Sequence, residues 1–127
     1  MCIRDSDRAG ETANSLSEDL LRELGEIVDV LEKDVPTGVV ITSAKPDSFI
    51  MGADIREFDA FERAEDVTEK IRQGHEVFSR LENLSCHSVA AIHGFCLGGG
   101  LELALCCNYI VAPVSYTHLT LPTIYSV

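Results

Sequence analysis

The chain has 127 residues, 46% of them hydrophobic and 24% charged, enough for one small domain with its own core. Its 21 acids against 10 bases give a formal charge of −11, which repels phosphate backbones and argues against nucleic-acid binding. No run approaches the ~20 apolar residues of a membrane helix, and residues 1–10 lack the apolar stretch of a secretory signal.

Residues 15–34 read as an amphipathic helix. Leu20, Leu24, Ile27, Val28 and Leu31 recur at steps of three and four, with Glu23, Glu26, Asp29 and Glu32 facing out. Ser15, with Glu18 three positions on, has the form of a capping box. Pro36-Thr37-Gly38 ends the helix, and the β-branched run 38–43 suits a strand covered on both faces. Asp54-Ile55-Arg56-Glu57 can open a second helix, and 66–84 continues helically with Val67, Ile71, Phe78, Leu81 and Leu84 as its buried stripe. Residues 88–93 form another buried-type strand. It leads through Gly94 to the triplet Gly98-Gly99-Gly100, then to an apolar helix over 101–107 and a short strand over 109–112. Strands alternating with helices predict an α/β fold with mostly parallel pairing.

The five cysteines are odd in number, and none forms a C-x-x-C pair. Buried free thiols in a reducing compartment, rather than disulfides or a zinc knuckle, are expected.

Three glycines between a strand and a helix leave backbone N–H groups bare at a positive dipole end, an arrangement that binds negative charge. A nucleotide phosphate loop fails, because Gly100-Leu101 stands where Lys and Ser/Thr are needed. A dinucleotide fingerprint fails at Leu103, and no acid lies about twenty residues on. An oxyanion hole remains, with Glu102 as the carboxylate that handles protons. Glu102 is the only charged residue after Glu82. The helix dipole favours its anion and burial opposes it, as suits a base near neutral pH. A plain first-turn Glu capping the helix fits the local sequence equally well. The loop 49–55 shifts the balance. Asp54 as a cap would turn the Ala53 amide outward, so that one donor from this loop and one from the triplet could meet on a single carbonyl oxygen.

Four pieces together, Ser43-Ala44-Lys45-Pro46-Asp47-Ser48-Phe49, Gly52-Ala53-Asp54-Ile55, Ala91-Ile92-His93-Gly94 and Gly98-Gly99-Gly100-Leu101-Glu102, resemble the crotonase (enoyl-CoA hydratase/isomerase) superfamily. The resemblance spans residues 8–113 and is strongest to the hydratase domains of bacterial multifunctional fatty-acid oxidation subunits. It implies a partial crotonase-like fold, with Ala53 and Gly99 as oxyanion-hole donors to an acyl-CoA thioester and Glu102 as one of two catalytic glutamates. It further implies that Ala53, Asp54, Ile55, Arg56, Gly98 and Gly99 line the CoA channel, and that Asn14-Ser15-Leu16 lies near the nucleotide part of CoA. The implied reaction is addition of water to a trans-2-enoyl-CoA, with enoyl-CoA isomerisation or inactive acyl-CoA binding as alternatives. Acyl-CoA enters as substrate, no cofactor or metal is implied, and the parent is expected to be cytoplasmic and either a homo-oligomer or part of a fatty-acid oxidation complex.

Two departures follow. The family's second glutamate stands in a Gly-Leu-Pro-Glu context, whereas here Leu121-Pro122-Thr123 places a threonine there. Residues 1–6 and the charge-free 114–127 read as foreign, adapter-derived ends around a natural fragment, 7–113. Of the remaining candidates, Lys45 and Arg56 are expected to be solvated surface bases rather than phosphate contacts. His93 reads as a packed, hydrogen-bonded residue, and Cys86-His87 lacks the companions of a metal site.

Overall fold

The computed structural model describes residues 2–113 and 118–120. In chain order these form β1 (Cys2–Ser6), α1 (Glu18–Lys33), β2 (Gly38–Ser43), β3 (Ser48–Ile50), α2 (Ile55–Phe58), α3 (Ala64–Glu82), β4 (His87–Ala91), β5 (Phe95–Leu97), α4 (Gly99–Leu105), β6 (Tyr109–Val111) and β7 (His118–Thr120). One sheet has the order β1-β2-β4-β6 and the other β3-β5-β7. Every strand pairing is parallel. From β2 onward the chain gives strands to the two sheets in turn, and each new strand joins beside the last one given to that sheet. The α/β class and the parallel pairing expected from the sequence are present.

The core lies between the sheets and helices. Val28 and Leu31 from α1, Phe78 and Leu81 from α3, and Leu101, Leu103 and Ala104 from α4 pack with Val39, Ile41, Phe49, Ile50, Ala90, Ile92 and Cys96. α1 and α3 are also tied on the outside, where Arg80 bridges Asp29 and Glu32 at 2.5 and 2.6 Å.

Several expectations need correction. The helix begins at Glu18 with Ser17 as its cap, whose side chain accepts from the Leu20 N–H; Ser15 is not the cap. Residues 14–16 instead run extended beside 51–54, with Leu16 bridged to Ala53. β2 alternates between buried and half-buried positions rather than being covered on both faces. The strands β3 and β5 were not anticipated: each is three residues long, too short to show a period. Ile71, placed in the buried stripe of α3, is 49% exposed. The short strand expected over 109–112 is present as β6, at the edge of its sheet among the described strands, with Tyr109 60% exposed. Residues 2–6 form β1 and pair position by position with β2, which bears on their fold and not on their origin. Of the tail over 114–127 only the β7 segment is among the described residues, so Thr123 lies outside them.

Among the described residues no helix is long and apolar enough to cross a membrane. Nor does any group of three or more His, Cys, Asp or Glu side chains among them gather as a metal site would require.

Candidate active site

Two loops meet at the end of the β3-β5 ladder. Gly52 follows β3 and has φ +100°; Gly98 follows β5 with φ +50° and ψ −123°, a conformation that a residue with a side chain rarely adopts. A Cβ built on Gly98 would stand 3.7 Å from the Gly52 Cα, so a side chain there would touch the other loop. Ala53 and Gly99 are the residues immediately after them.

Ala53 is held by its neighbours. The Leu16 N–H donates to the Gly52 carbonyl at 2.6 Å, and the Asp54 N–H donates to the Leu16 carbonyl at 3.3 Å. In a parallel ladder a residue bonded on both sides of its partner leaves that partner's own N–H turned to the opposite side. The Ala53 N–H is therefore directed away from residues 14–16. Gly99 opens α4, where the first amides have no intrahelical acceptor. Among the described residues neither N–H is a donor in a backbone hydrogen bond.

Glu102 sits in the first turn of the same helix and is half-buried. Its Oε2 would lie 3.7 Å from a Cβ on Gly99, which places the carboxylate beside that amide. The Leu16 side chain also lies against Gly99, with Cδ2 2.7 Å from the same Cβ position. Beside Ala53 opens a cleft of about 80 Å³, lined by Leu16, Phe58, Phe61 and Ile71 and closed by the Lys70–Glu18 ion pair. The exposure of Ile71 follows from this position. A larger cavity of about 540 Å³ lies behind residues 6–9, against Leu24, Ile41, Ile50 and Leu103, and meets neither Ala53 nor Gly99.

The other predicted site residues fall into two groups. The Ile55 side chain is open to solvent at the loop surface. Asp54 caps α2 by accepting from the Arg56 N–H, and its side chain is only 4% exposed. Its carboxylate is held by the Arg56 guanidinium at 2.9 Å and by Arg8 at 2.7 Å. These two partners, Arg56 first, keep its pKa far below the usual carboxylate range. Asp54 thus shapes the loop, and its carboxylate has no side left for a ligand. Arg56 also pairs with Glu11 at 3.3 Å and is not a lone solvated base. Lys45 is likewise no surface base: it is buried, bonded to the Arg8 carbonyl at 2.7 Å and to Asp7 at 2.6 Å. His93 is packed, with Nε2 donating to the Lys45 carbonyl at 2.6 Å.

Sequence reasoning missed the contribution of Arg8 and the weight of Asn14. Asn14 is 0% exposed. Its Nδ2 donates to the Ser6 carbonyl at 2.8 Å and to the Ser6 and Ser43 hydroxyls at 2.9 Å each, while its Oδ1 accepts from the Arg8 N–H at 2.8 Å. A buried amide so close to the loop could have raised suspicion; its partners, 6 to 29 positions away, could not be read locally.

The family model described as enoyl-CoA hydratase/isomerase matches residues 8–120. The fatty acid oxidation complex subunit alpha of Shewanella loihica is 50% identical over 126 residues, 98% of this chain and 18% of that one. The protein of the same name from Shewanella amazonensis is 47% identical over 120 residues, 93% of this chain and 17% of the relative. The chain thus spans less than a fifth of the length of these relatives. Among solved structures, an enoyl-CoA hydratase/carnithine racemase from Magnetospirillum magneticum aligns with a TM-score of 0.86 and 28% identity, over 95% of this chain and 45% of that one. An enoyl-CoA hydratase from Bacillus anthracis aligns with a TM-score of 0.76 and 34% identity, over 85% of this chain and 42% of that one.

Proposed function

We propose, from the premise that the chain belongs to the enoyl-CoA hydratase/isomerase family, that it carries the oxyanion-binding part of an enoyl-CoA hydratase of fatty-acid oxidation. The contact between the Gly52-Ala53 and Gly98-Gly99 loops, with Glu102 beside Gly99, carries this reading. The thioester oxygen of an acyl-CoA accepts the Ala53 and Gly99 N–H groups, and both bonds strengthen as enolate charge develops on that oxygen. Losing one such donor typically costs roughly 10²–10³ in rate. The Glu102 carboxylate holds the attacking water and takes its proton as the C–O bond forms. Ile55, Arg56, Gly98 and the main chain of Asp54 border the CoA arm, and the acyl group enters beside Leu16 and Phe58. Acyl-CoA is the substrate and no cofactor takes part. The parent works in the cytoplasm, as a homo-oligomer or within a fatty-acid oxidation complex.

Thr123 favours a second reading for the chain by itself. A threonine hydroxyl is not a carboxylate at neutral pH, so this chain binds acyl-CoA without hydrating it. Titration with crotonyl-CoA, followed by an assay for loss of the conjugated enoyl absorbance, tests both readings. Binding without turnover is expected. No binding would sink the first reading, and turnover would sink the second. In a parent enzyme with the intact domain, Glu102→Gln is expected to cut hydration by orders of magnitude.

A further inference from the structure

Arg8 belongs to the segment before α1, yet its guanidinium reaches the loop that carries Ala53. We infer that Arg8 is a positioning residue for the Ala53 donor, acting through Asp54; the inference rests on the oxyanion-hole reading and deepens it. Three observations carry it.

First, the Arg8 main chain is anchored at both ends by buried side chains. Its N–H donates to Asn14 Oδ1 at 2.8 Å, and its carbonyl accepts from Lys45 Nζ at 2.7 Å. Second, its Nη1 binds Asp54 Oδ2 at 2.7 Å and also donates to the Ser15 hydroxyl, which lies 3.4 Å from the same carboxylate oxygen. Third, among the described residues the other cation on Asp54 reaches beyond the loop only through an exposed pair with Glu11 at 3.3 Å. Arg56 is two positions away and moves with the loop, so its bonds to Asp54 set only local shape. Among the described residues Arg8 is the one charged group outside the loop that pairs with Asp54.

Ala53 is thereby clamped on two sides, by Leu16 on the Gly52 carbonyl and by Arg8 on the Asp54 side chain. A donor held in this way can be aimed before the substrate arrives, which is what an oxyanion hole requires. Loosening the clamp should harm recognition of the thioester oxygen and leave the CoA arm unaffected. A residue that merely stabilises the fold would lower affinity for all CoA compounds alike.

The experiment compares butyryl-CoA with S-butyl-CoA, the thioether that lacks the carbonyl oxygen, by calorimetric titration of the full 127-residue chain. The wild-type chain is expected to prefer the thioester by roughly tenfold, equivalent to about 1.4 kcal/mol. Arg8→Gln should bring that preference close to unity with S-butyl-CoA affinity unchanged, and Arg8→Lys, which keeps a charge for Asp54, should restore part of it. A folded Arg8→Gln chain with the full preference would overturn the inference. If Arg8→Gln does not fold, Asp54→Asn removes the charge that Arg8 holds; a preference brought close to unity with S-butyl-CoA affinity unchanged supports the inference, and a full preference overturns it. A wild-type chain indifferent to the carbonyl would remove the oxyanion-hole reading itself, a separate failure.

Discussion

A Cβ on Gly100 would stand 2.4 Å from the Ile50 carbonyl oxygen and 2.8 Å from the Ile50 Cβ. Both are rigid parts of β3, so α4 can approach the strand this closely only without a side chain there. Gly100→Ala is expected to destabilise the chain by about 1–3 kcal/mol, as overpacking does. At Gly99 the nearest obstacle is the end of the flexible Leu16 side chain, and Gly99→Ala should cost less than half as much. Urea unfolding of the two variants checks this; equal losses would contradict the close approach of α4 to β3.

The ion pairs at Asp54 give stability a definite pH dependence. Its folded-state pKa lies well below the ordinary ~3.9 because the guanidinium groups of Arg56 and Arg8 favour the anion. The stabilisation is therefore present above about pH 4 and is lost as the pH falls below that value towards the folded pKa. Asp54→Asn should be less stable than wild type at pH 7, and the gap should narrow steadily below pH 4. Unfolding curves at pH 7 and pH 3 measure it. A gap that widened in acid would reverse the assignment.

Burial predicts the order in which the thiols react. Cys96 is fully buried and its pKa is pushed up to about 11 by burial; Cys106 is pushed to about 11 by burial first and by Glu82 next, and burial raises Cys107 as well. Thiolates are the reactive species, so these three should resist iodoacetamide at pH 7.5 in the folded chain. Cys86, half-buried in the turn before β4, should be modified sooner. Mass spectrometry of partly labelled protein gives the order, and early modification of Cys96 would contradict its packing.

Asn14→Leu keeps the size of the side chain and removes the hydrogen bonds that the Asn14 amide makes to residues 6, 8 and 43. Buried partners left unsatisfied cost about 1–3 kcal/mol each. A loss of at least 2 kcal/mol is expected in chemical denaturation, whereas Thr12→Ala at the neighbouring surface should change little.

The parts of this architecture that repeat locally could be read from the sequence. α1 shows its spacing of three and four, and the glycine triplet followed by Glu102 marks a bare helix start. Ser15 misled because a capping signature is local, whereas the side chain that claims its hydroxyl, Arg8, belongs to a network with Asp54 across 39 to 46 positions. Lys45 misled for a related reason. Cations are usually solvated, but here a carbonyl and Asp7 receive the ammonium inside the fold. The two loops were therefore legible and the side chains that support them were not, since supports are chosen by tertiary contact and leave no period.

Both sheets list their strands in the order in which the chain is made. A ribosome would thus release this segment as successive coils, each laid on the one before, with no hairpin and no late-inserted strand among the described strands. Damage to β2 or β4 undermines two neighbours at once, while damage to β6 touches one among the described strands. Lesions in the inner strands β2, β4 and β5 should therefore be punished more severely than equally buried ones in the strands that flank them.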